Sequence, residues 1–284
     1  MSCSLGTVAF GALLALAGCK RENAEGAQPS PNPALPAAAA PSASTAPTPA
    51  AAPPASARAA DAKPDLLETS AGPVRITPVY HGTLRLEFGG RVIYVDPHQV
   101  SALPESPKAD LVLITDIHKD HYDPEALGKV QQPSTAIIAP PVVVEKEPRA
   151  RAIKNGERAT VSGIGIEAVP MYNLKRGPKP GALFHDKGRG NGYILTLGGR
   201  RVYLAGDTEC TDEMRALQNI DVAFVPMNLP YTMPPEEAAE CVKAFRPKIV
   251  YPYHYRGSDL AVFQAALTGV PGVEVRLRDW YGGA

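Results

Sequence analysis

Beyond residue 64 the chain alternates short apolar runs with turn-forming residues. Runs rich in Val, Ile, Leu and Tyr, bounded by Gly, Pro, Asn or Asp, predict strands. The pattern places them at 75–80, 83–88, 91–95, 111–114 and 136–138, then at 164–169, 192–197, 201–205, 222–225 and 249–251. Gly-Gly pairs at 89–90 and 198–199 separate adjoining runs, as tight hairpins require. Helices fit the stretches 124–129, 212–217, 235–245 and 258–267. Pro234-Pro235 suits a first helical turn, where no N–H is needed, and Glu236 and Glu237 then sit at the positive end of the helix dipole. Hairpins mixed with βα units predict an α/β domain of two sheets flanked by helices.

The first 64 residues follow another pattern. The apolar run at 8–17 is too short to span a bilayer and closes on Leu16-Ala17-Gly18-Cys19. That ending resembles a bacterial lipoprotein signal (1–19), although basic residues are missing ahead of the run. The resemblance implies lipidation at Cys19 and a chain anchored in the cell envelope. Lys20, at the second position of the mature chain, gives no reason for inner-membrane retention, so the outer membrane facing the periplasm is expected. Residues 20–64 are dominated by Ala, Pro, Ser and Thr and can bury no core, so a disordered tether is expected. At about 3 Å per residue it could hold a domain on the order of 100 Å from a membrane. Residues 65–284 remain, enough for one domain with a full core.

Charge narrows the partners. The 29 acidic and 29 basic residues balance, so no nucleic-acid partner is expected. Of the 4 cysteines, Cys3 would leave with the signal and Cys19 would carry lipid. Cys210 and Cys241 are left in an oxidising compartment, where a bond between them is open and sequence cannot bring them within reach. Cys210 follows Asp207 by three residues, yet a buried or surface thiol is expected there rather than one near the metals.

The chemistry concentrates in Thr115-Asp116-Ile117-His118-Lys119-Asp120-His121, directly after the apolar run Leu111-Val112-Leu113-Ile114. A buried strand that delivers His and Asp at its end is a metal-site pattern. Residues two apart in extended chain point the same way, so Asp116 and His118 can converge on one ion. Asp120 and His121 follow as the chain turns and can address a second. Two more strands end in ligand-type residues: Val202 to Ala205 leads to Gly206-Asp207, and Ile249 to Tyr253 leads to His254.

The set Asp116, His118, Asp120, His121, Asp207 and His254 resembles the metallo-β-lactamase superfamily. That family uses His-x-His-x-Asp-His, a lone His, an Asp after a strand and a final His. The closest resemblance is to its simple metal-dependent hydrolase branch, with the ascorbate-phosphate lactonases and N-acyl-phosphatidylethanolamine phospholipases. Val79-Tyr80-His81-Gly82-Thr83, Val92 to Pro97, and Thr232-Met233-Pro234-Pro235-Glu236-Glu237-Ala238 are similar to motifs of that branch. The resemblance covers 74–257 and implies a four-layer αββα sandwich with metals at the sheet edges.

Two departures matter. Asp116 stands where the family has its first His, and Asn173 falls where it has the lone His. The first site is therefore expected to be Asp116, His118, Asp207 and either His185 or Asn173. His185 is favoured, because imidazole is the better ligand for zinc-like ions. The second site would be Asp120, His121, Asp207 and His254. One or two divalent ions are expected, zinc foremost, with manganese or iron open because a carboxylate replaces an imidazole. His81, Asp96, Asn173 and Tyr253 are expected to orient ligands or line the substrate pocket. His98 reads as a loop residue. The loop 173–191, rich in Gly, Pro, Lys and Arg, reads as solvated, or as a lid offering cationic contacts.

The expected activity is metal-dependent hydrolysis, with the water activated by metal, Asp207 bridging the ions and Asp120 orienting the water or accepting its proton. Ester, lactone, amide and phosphodiester substrates stay open, all of them small molecules. The alternative is a non-catalytic, metal-stabilised binding module on an envelope tether, suggested by the altered first site.

Overall fold

The computed structural model describes residues 64–282; the signal read at 1–19 and the tether up to its last residue lie outside the described residues. The first sheet runs in chain order through β1 (Asp65–Leu67), β2 (Val74–Tyr80), β3 (Thr83–Phe88), β4 (Arg91–Val95), β5 (Leu111–Leu113), β6 (Ala136–Ala139) and β7 (Arg151–Ala152). Strands β1 to β4 are antiparallel and β4 to β7 parallel. Helices α1 (Pro124–Val130) and α2 (Pro141–Val144) lie within the parallel connections.

The second sheet repeats the scheme. Strands β8 (Arg158–Val161), β9 (Ile164–Met171), β10 (Gly190–Leu197) and β11 (Arg200–Leu204) are antiparallel. Strands β12 (Val222–Pro226), β13 (Ile249–Tyr253) and β14 (Glu274–Val275) continue in parallel. Helices α3 (Asp212–Arg215), α4 (Pro235–Phe245) and α5 (Leu260–Leu267) serve these connections.

Strand alternation sorts side chains between layers. Leu84, Leu86, Ile93 and Val95 of the first sheet share a buried cluster with Tyr193, Leu195, Leu204 and Phe224 of the second. The other face of the first sheet packs Tyr94, Val112 and Ile137 with Leu127 and Val130 of α1. The other face of the second packs Tyr203, Ala223 and Val250 with Met214, Val242 and Phe263 of the helices. Three apolar interfaces separate four layers, which makes the domain an αββα sandwich.

In α4, Ala238, Cys241, Val242 and Phe245 recur at three- and four-residue spacing and are buried. The helix stops at Arg246, which turns left-handed at φ 47°. Two expected helices are shorter than their pattern: α3 is a single turn, and α5 starts at Leu260 because the Asp259 carboxylate accepts from the Ala261 N–H as its cap. Elements β1, β7, β8, β14 and α2 were not expected. They have two to four residues each, below the length at which periodicity is legible. Tyr251 and Tyr253 of β13 lie wholly inside the inter-sheet core.

Candidate metal centre

Parallel strands present their C-terminal ends on one side, and the chemistry collects there. β4 leads to Asp96, β5 to Asp116 to His121, β11 to Gly206-Asp207 and β13 to His254. Asp207 is central. Its Oδ2 lies 3.4 Å from His121 Nε2 and 3.4 Å from His185 Nε2, and its Oδ1 3.6 Å from His254 Nε2. On one side, Asp116 Oδ2 is 3.0 Å from His118 Nδ1 and 3.8 Å from His185 Nε2. On the other, Asp120 Oδ2 is 3.3 Å from His254 Nε2 and 3.9 Å from His121 Nε2.

These separations suit ligands of a shared ion. Two donors each about 2.0–2.2 Å from a tetrahedral metal stand roughly 3.3–3.6 Å apart. His121 Nε2, His185 Nε2 and Asp207 Oδ1 are buried without a hydrogen-bond partner. Leaving such atoms unsatisfied costs about 1–3 kcal/mol each, a cost that a cation among them removes. Charge points the same way: Asp96, Asp116, Asp120 and Asp207 face one paired guanidinium, Arg189. The residues present fit a divalent metal.

Two of the candidate imidazoles, His121 and His185, are held from behind, whereas His254 Nδ1 has no hydrogen-bond partner among the described residues. Asp96 Oδ2 accepts from His121 Nδ1 at 2.8 Å, while the Thr115 amide and hydroxyl donate to the same carboxylate at 2.8 and 2.6 Å. A carboxylate only accepts, so Nδ1 carries a proton and Nε2 is the nitrogen turned toward Asp207. Burial alone would lower the His121 pKa, but Asp207 and Asp96 together hold it well above its ordinary value. Without a metal, those carboxylates draw a proton into the site instead. Burial would raise Asp207 and Asp120, yet both are held well below the usual carboxylate range, Asp207 by His254 and His121 and Asp120 by His254 and His81.

The third imidazole comes from the long connection between β9 and β10. The side chain reaching Asp207 is His185, and Asn173 stands behind it. Asn173 Oδ1 accepts from the His185 amide at 2.8 Å and from Nδ1 at 2.7 Å, and its Nδ2 donates to Glu209 at 3.0 Å and to the Tyr231 carbonyl at 2.8 Å. All the amide's capacity is used. Burial pushes the His185 pKa down to about 4, so near neutral pH its Nε2 offers a lone pair. Part of the connection is packed against the site: Arg189 grips Asp116 through Nε at 3.1 Å and Nη2 at 2.6 Å. Arg176 pairs with the buried Glu209 at 2.8 Å and with Glu237 at 2.8 Å. These two arginines meet protein carboxylates and are not offered to substrate, while residues 174–175, 178–181 and 186–188 are exposed, as the solvated reading expects.

The backbone is bent to fit. His81, Asp96 and His254 have φ values of 55°, 44° and 48°, a left-handed conformation that costs non-glycine residues about 1–3 kcal/mol and collects at functional sites. Gly206 combines φ 66° with a close approach: a Cβ there would lie 2.5 Å from Met171 Sδ. Its N–H donates to the Tyr253 hydroxyl at 2.9 Å. Tyr253 is thus a support beneath the Asp207 turn, which corrects the pocket-lining branch of its expected role. His81 sits in the site, with Nε2 3.3 Å from Asp120 Oδ2 and Nδ1 2.7 Å from the Tyr281 hydroxyl. Burial lowers its pKa to about 4. His98 is a half-buried loop residue 3.7 Å from Asp123.

Cys210 and Cys241 form a disulfide, fastening the segment after Asp207 to α4. The bond that the sequence left open is formed, and neither residue is a free thiol. Sequence reasoning also missed Thr115, Arg189 and Tyr281. Only Arg189 had a signal: a carboxylate in place of the family's first His needs a counter-charge when buried. The centre opens into a cleft of about 610 Å³ lined by His81, His118, Asp120, Phe184, Leu229 and Arg256 among others. A second cleft of about 510 Å³, lined by Arg151, Arg158 and Arg201, includes none of these residues.

Comparison with known proteins agrees with this architecture. The family described as Beta-lactamase superfamily domain matches residues 75–254. A metal-dependent hydrolase of Thermococcus onnurineus is 32% identical over 181 residues, covering 59% of this chain and 78% of the relative. One from Aeropyrum pernix is 33% identical over 201 residues, covering 64% and 82%. Among solved structures, a metal-dependent hydrolase from Parabacteroides distasonis superposes with a TM-score of 0.71 at 41% identity, covering 76% of this chain and 98% of its own. A metallo hydrolase from Ignicoccus hospitalis gives 0.60 at 25%, covering 74% and 96%. With its sandwich fold, its ligand-bearing strand ends and a family match across most of the described residues, the chain belongs to the metallo-β-lactamase superfamily and stands among metal-dependent hydrolases.

Proposed function

We propose that this metal-dependent hydrolase holds two divalent ions, zinc foremost, and cleaves an ester, lactone, amide or phosphodiester in a small molecule. One ion would be held by Asp116, His118, His185 and Asp207, the other by Asp120, His121, His254 and Asp207. The observation that carries this reading is the unpartnered, buried ring of His121 Nε2, His185 Nε2 and Asp207 Oδ1, with ligand-type spacings of 3.4–3.6 Å around one carboxylate. Such ions supply Lewis acidity, which acidifies water and polarises an acceptor oxygen.

The chain's own residues do the rest. Asp120 is the carboxylate of the cluster that opens to the cleft, its side chain 35% exposed, so it is placed to take a proton from attacking water. Since Asp120 only accepts, His81 faces it with Nε2–H, its Nδ1 receiving the Tyr281 hydroxyl. That N–H holds Asp120 in place over the cleft. Asp207 offsets the repulsion between cations, and Arg189 neutralises the extra negative charge of Asp116.

The test is metal content of the purified chain followed by a screen of the four substrate classes, before and after chelation. Turnover that disappears with the metal and returns on reloading supports the proposal. Tight stoichiometric metal with no turnover on any class would favour the non-catalytic binding module.

For location, the lipid-anchor reading of Cys19 is part of the proposal. The Cys210–Cys241 bond supports it, because such bonds persist in oxidising compartments such as the periplasm. No helix among the described residues is long and apolar enough to cross a membrane. Mass spectrometry of the membrane fraction should find an acylated peptide beginning at Cys19; a soluble chain beginning elsewhere would refute the anchor.

A further inference from the structure

The cleft over the centre has two unlike walls. Phe184, Leu229 and Tyr231 make one of them, with the Phe184 and Tyr231 rings edge-on at 5.0 Å. Leu229 and Tyr231 are 53% and 48% exposed, an unusual expense of apolar surface at a cleft mouth. This wall is fixed in place. The Tyr231 carbonyl accepts from Asn173, and Asn228 and Thr232 are hydrogen-bonded across the turn that carries Leu229.

Arg256 forms the other wall. Its guanidinium lies over the Tyr281 ring at 5.1 Å and the Tyr80 ring at 5.9 Å, and Nη2 donates to the Tyr80 hydroxyl. Aromatic stacking holds a guanidinium in orientation and leaves its remaining N–H groups for a ligand. Among the described residues no carboxylate forms an ion pair with Arg256, unlike Arg176, Arg189 and Arg278. Among the described residues it is the one Lys or Arg side chain that lines the cleft.

We propose that the substrate is an amphiphilic anion, with an apolar arm on Phe184, Leu229 and Tyr231 and a carboxylate or phosphate on Arg256, so that the bond between the two arms lies over the metal centre. This rests on the hydrolase reading and narrows it: the anion is a recognition group distinct from the bond that is cut. A small sugar-like substrate would leave the apolar wall uncovered, and a neutral lipid would leave the guanidinium unpaired.

Binding is measured by calorimetry on the full metal-loaded chain with two non-hydrolysable ethers, 4-(hexyloxy)butanoate and its neutral amide. The carboxylate should bind about tenfold more tightly, the scale of one charge-assisted hydrogen-bonded pair. Arg256→Met should bring the two within about twofold, and Arg256→Lys should retain part of the preference. Shortening the hexyl arm to methyl should weaken the carboxylate at least about tenfold, and Leu229→Ala should remove part of that dependence. Equal affinity for acid and amide overturns the proposal, as does a preference that survives in Arg256→Met, which would put the carboxylate on the metal. Indifference to the alkyl arm overturns it equally. These probes are not turned over, so absence of hydrolysis on every substrate class would remove the hydrolase reading and leave the binding result standing.

Discussion

The two halves of the domain follow one plan and differ in what they place at equivalent points. In each, four antiparallel strands lead into three parallel ones, with helices on the outer face. β4 and β11 hold the same position, each the last antiparallel strand and the first parallel one. Each is followed closely by a buried Asp beside a left-handed residue: Asp96 itself in the first half, Gly206 before Asp207 in the second. Asp96 turns inward and holds His121 from behind, whereas Asp207 faces three imidazoles. The glycine and one extra residue account for the difference, carrying Asp207 out to the strand tip. A repeated fold supplies equivalent positions, and local backbone decides which become ligands and which become supports.

The largest expected effect separates those two aspartates. Asp207→Ala should abolish metal at both positions and all turnover, read as metal stoichiometry after desalting. Full stoichiometry in that variant would show that the halves do not meet on this residue.

The disulfide is a feature of the second half, closing a separation of 31 residues between Cys210 and Cys241. Its loss in Cys241→Ser should cost about 3–4 kcal/mol by the loop-closure argument, measured by urea unfolding of the metal-free protein. Metal affinity should fall with it, since Cys210 follows Asp207 by three residues. Unchanged stability would mean that the second half needs no staple.

Arg189→Met tests the first half's compensation for a carboxylate ligand. Asp116 would be left buried and unpaired, so the metal-free protein should lose about 3 kcal/mol, while metal-loaded protein should lose much less because the ion replaces the guanidinium as counter-charge. An equal loss in both forms would make Arg189 a structural clamp only.

The smallest effect belongs to the supporting aspartate. Asp96→Asn should weaken metal binding about 10–100-fold, the usual range for a residue behind a metal ligand, with occupancy recovered at high metal concentration. If Asp96→Asn were as severe as Asp207→Ala, the distinction between ligand and support would fail.

Much of this centre was legible because the parallel strands announce themselves. Leu111 to Ile114, Val202 to Ala205 and Ile249 to Tyr253 are uninterrupted apolar runs, and the polar residues after them had to lie at a strand end. Asp116, His118, Asp120, His121, Asp207 and His254 were readable on that ground. Edge elements such as β7 and β14 were not, because two residues carry no period. The partners of the ligands were hidden for another reason. Arg189 is 73 residues from Asp116 and Tyr281 is 200 from His81; nothing local in either segment signals the meeting. Tyr253 shows the reverse error, where proximity to His254 in sequence suggested the pocket although strand alternation turns its ring into the core.

The clasp between Asn173 and His185 bears on how such a protein changes over generations. Asn173 stands two residues beyond β9, where a ligand carried directly by a strand end would be expected. His185 arrives from the loop, and the two are tied by the Asn173 amide to the His185 carbonyl at 2.9 Å as well as through the Asn173 side chain. Residues joined so closely can deliver an imidazole to nearly the same point from either position. A lineage could therefore pass through an ancestor with histidine at both places and never lack a third nitrogen. Along such a path the location in space would be kept while the place in the chain changed, and a metal centre could outlast the motif by which it is recognised.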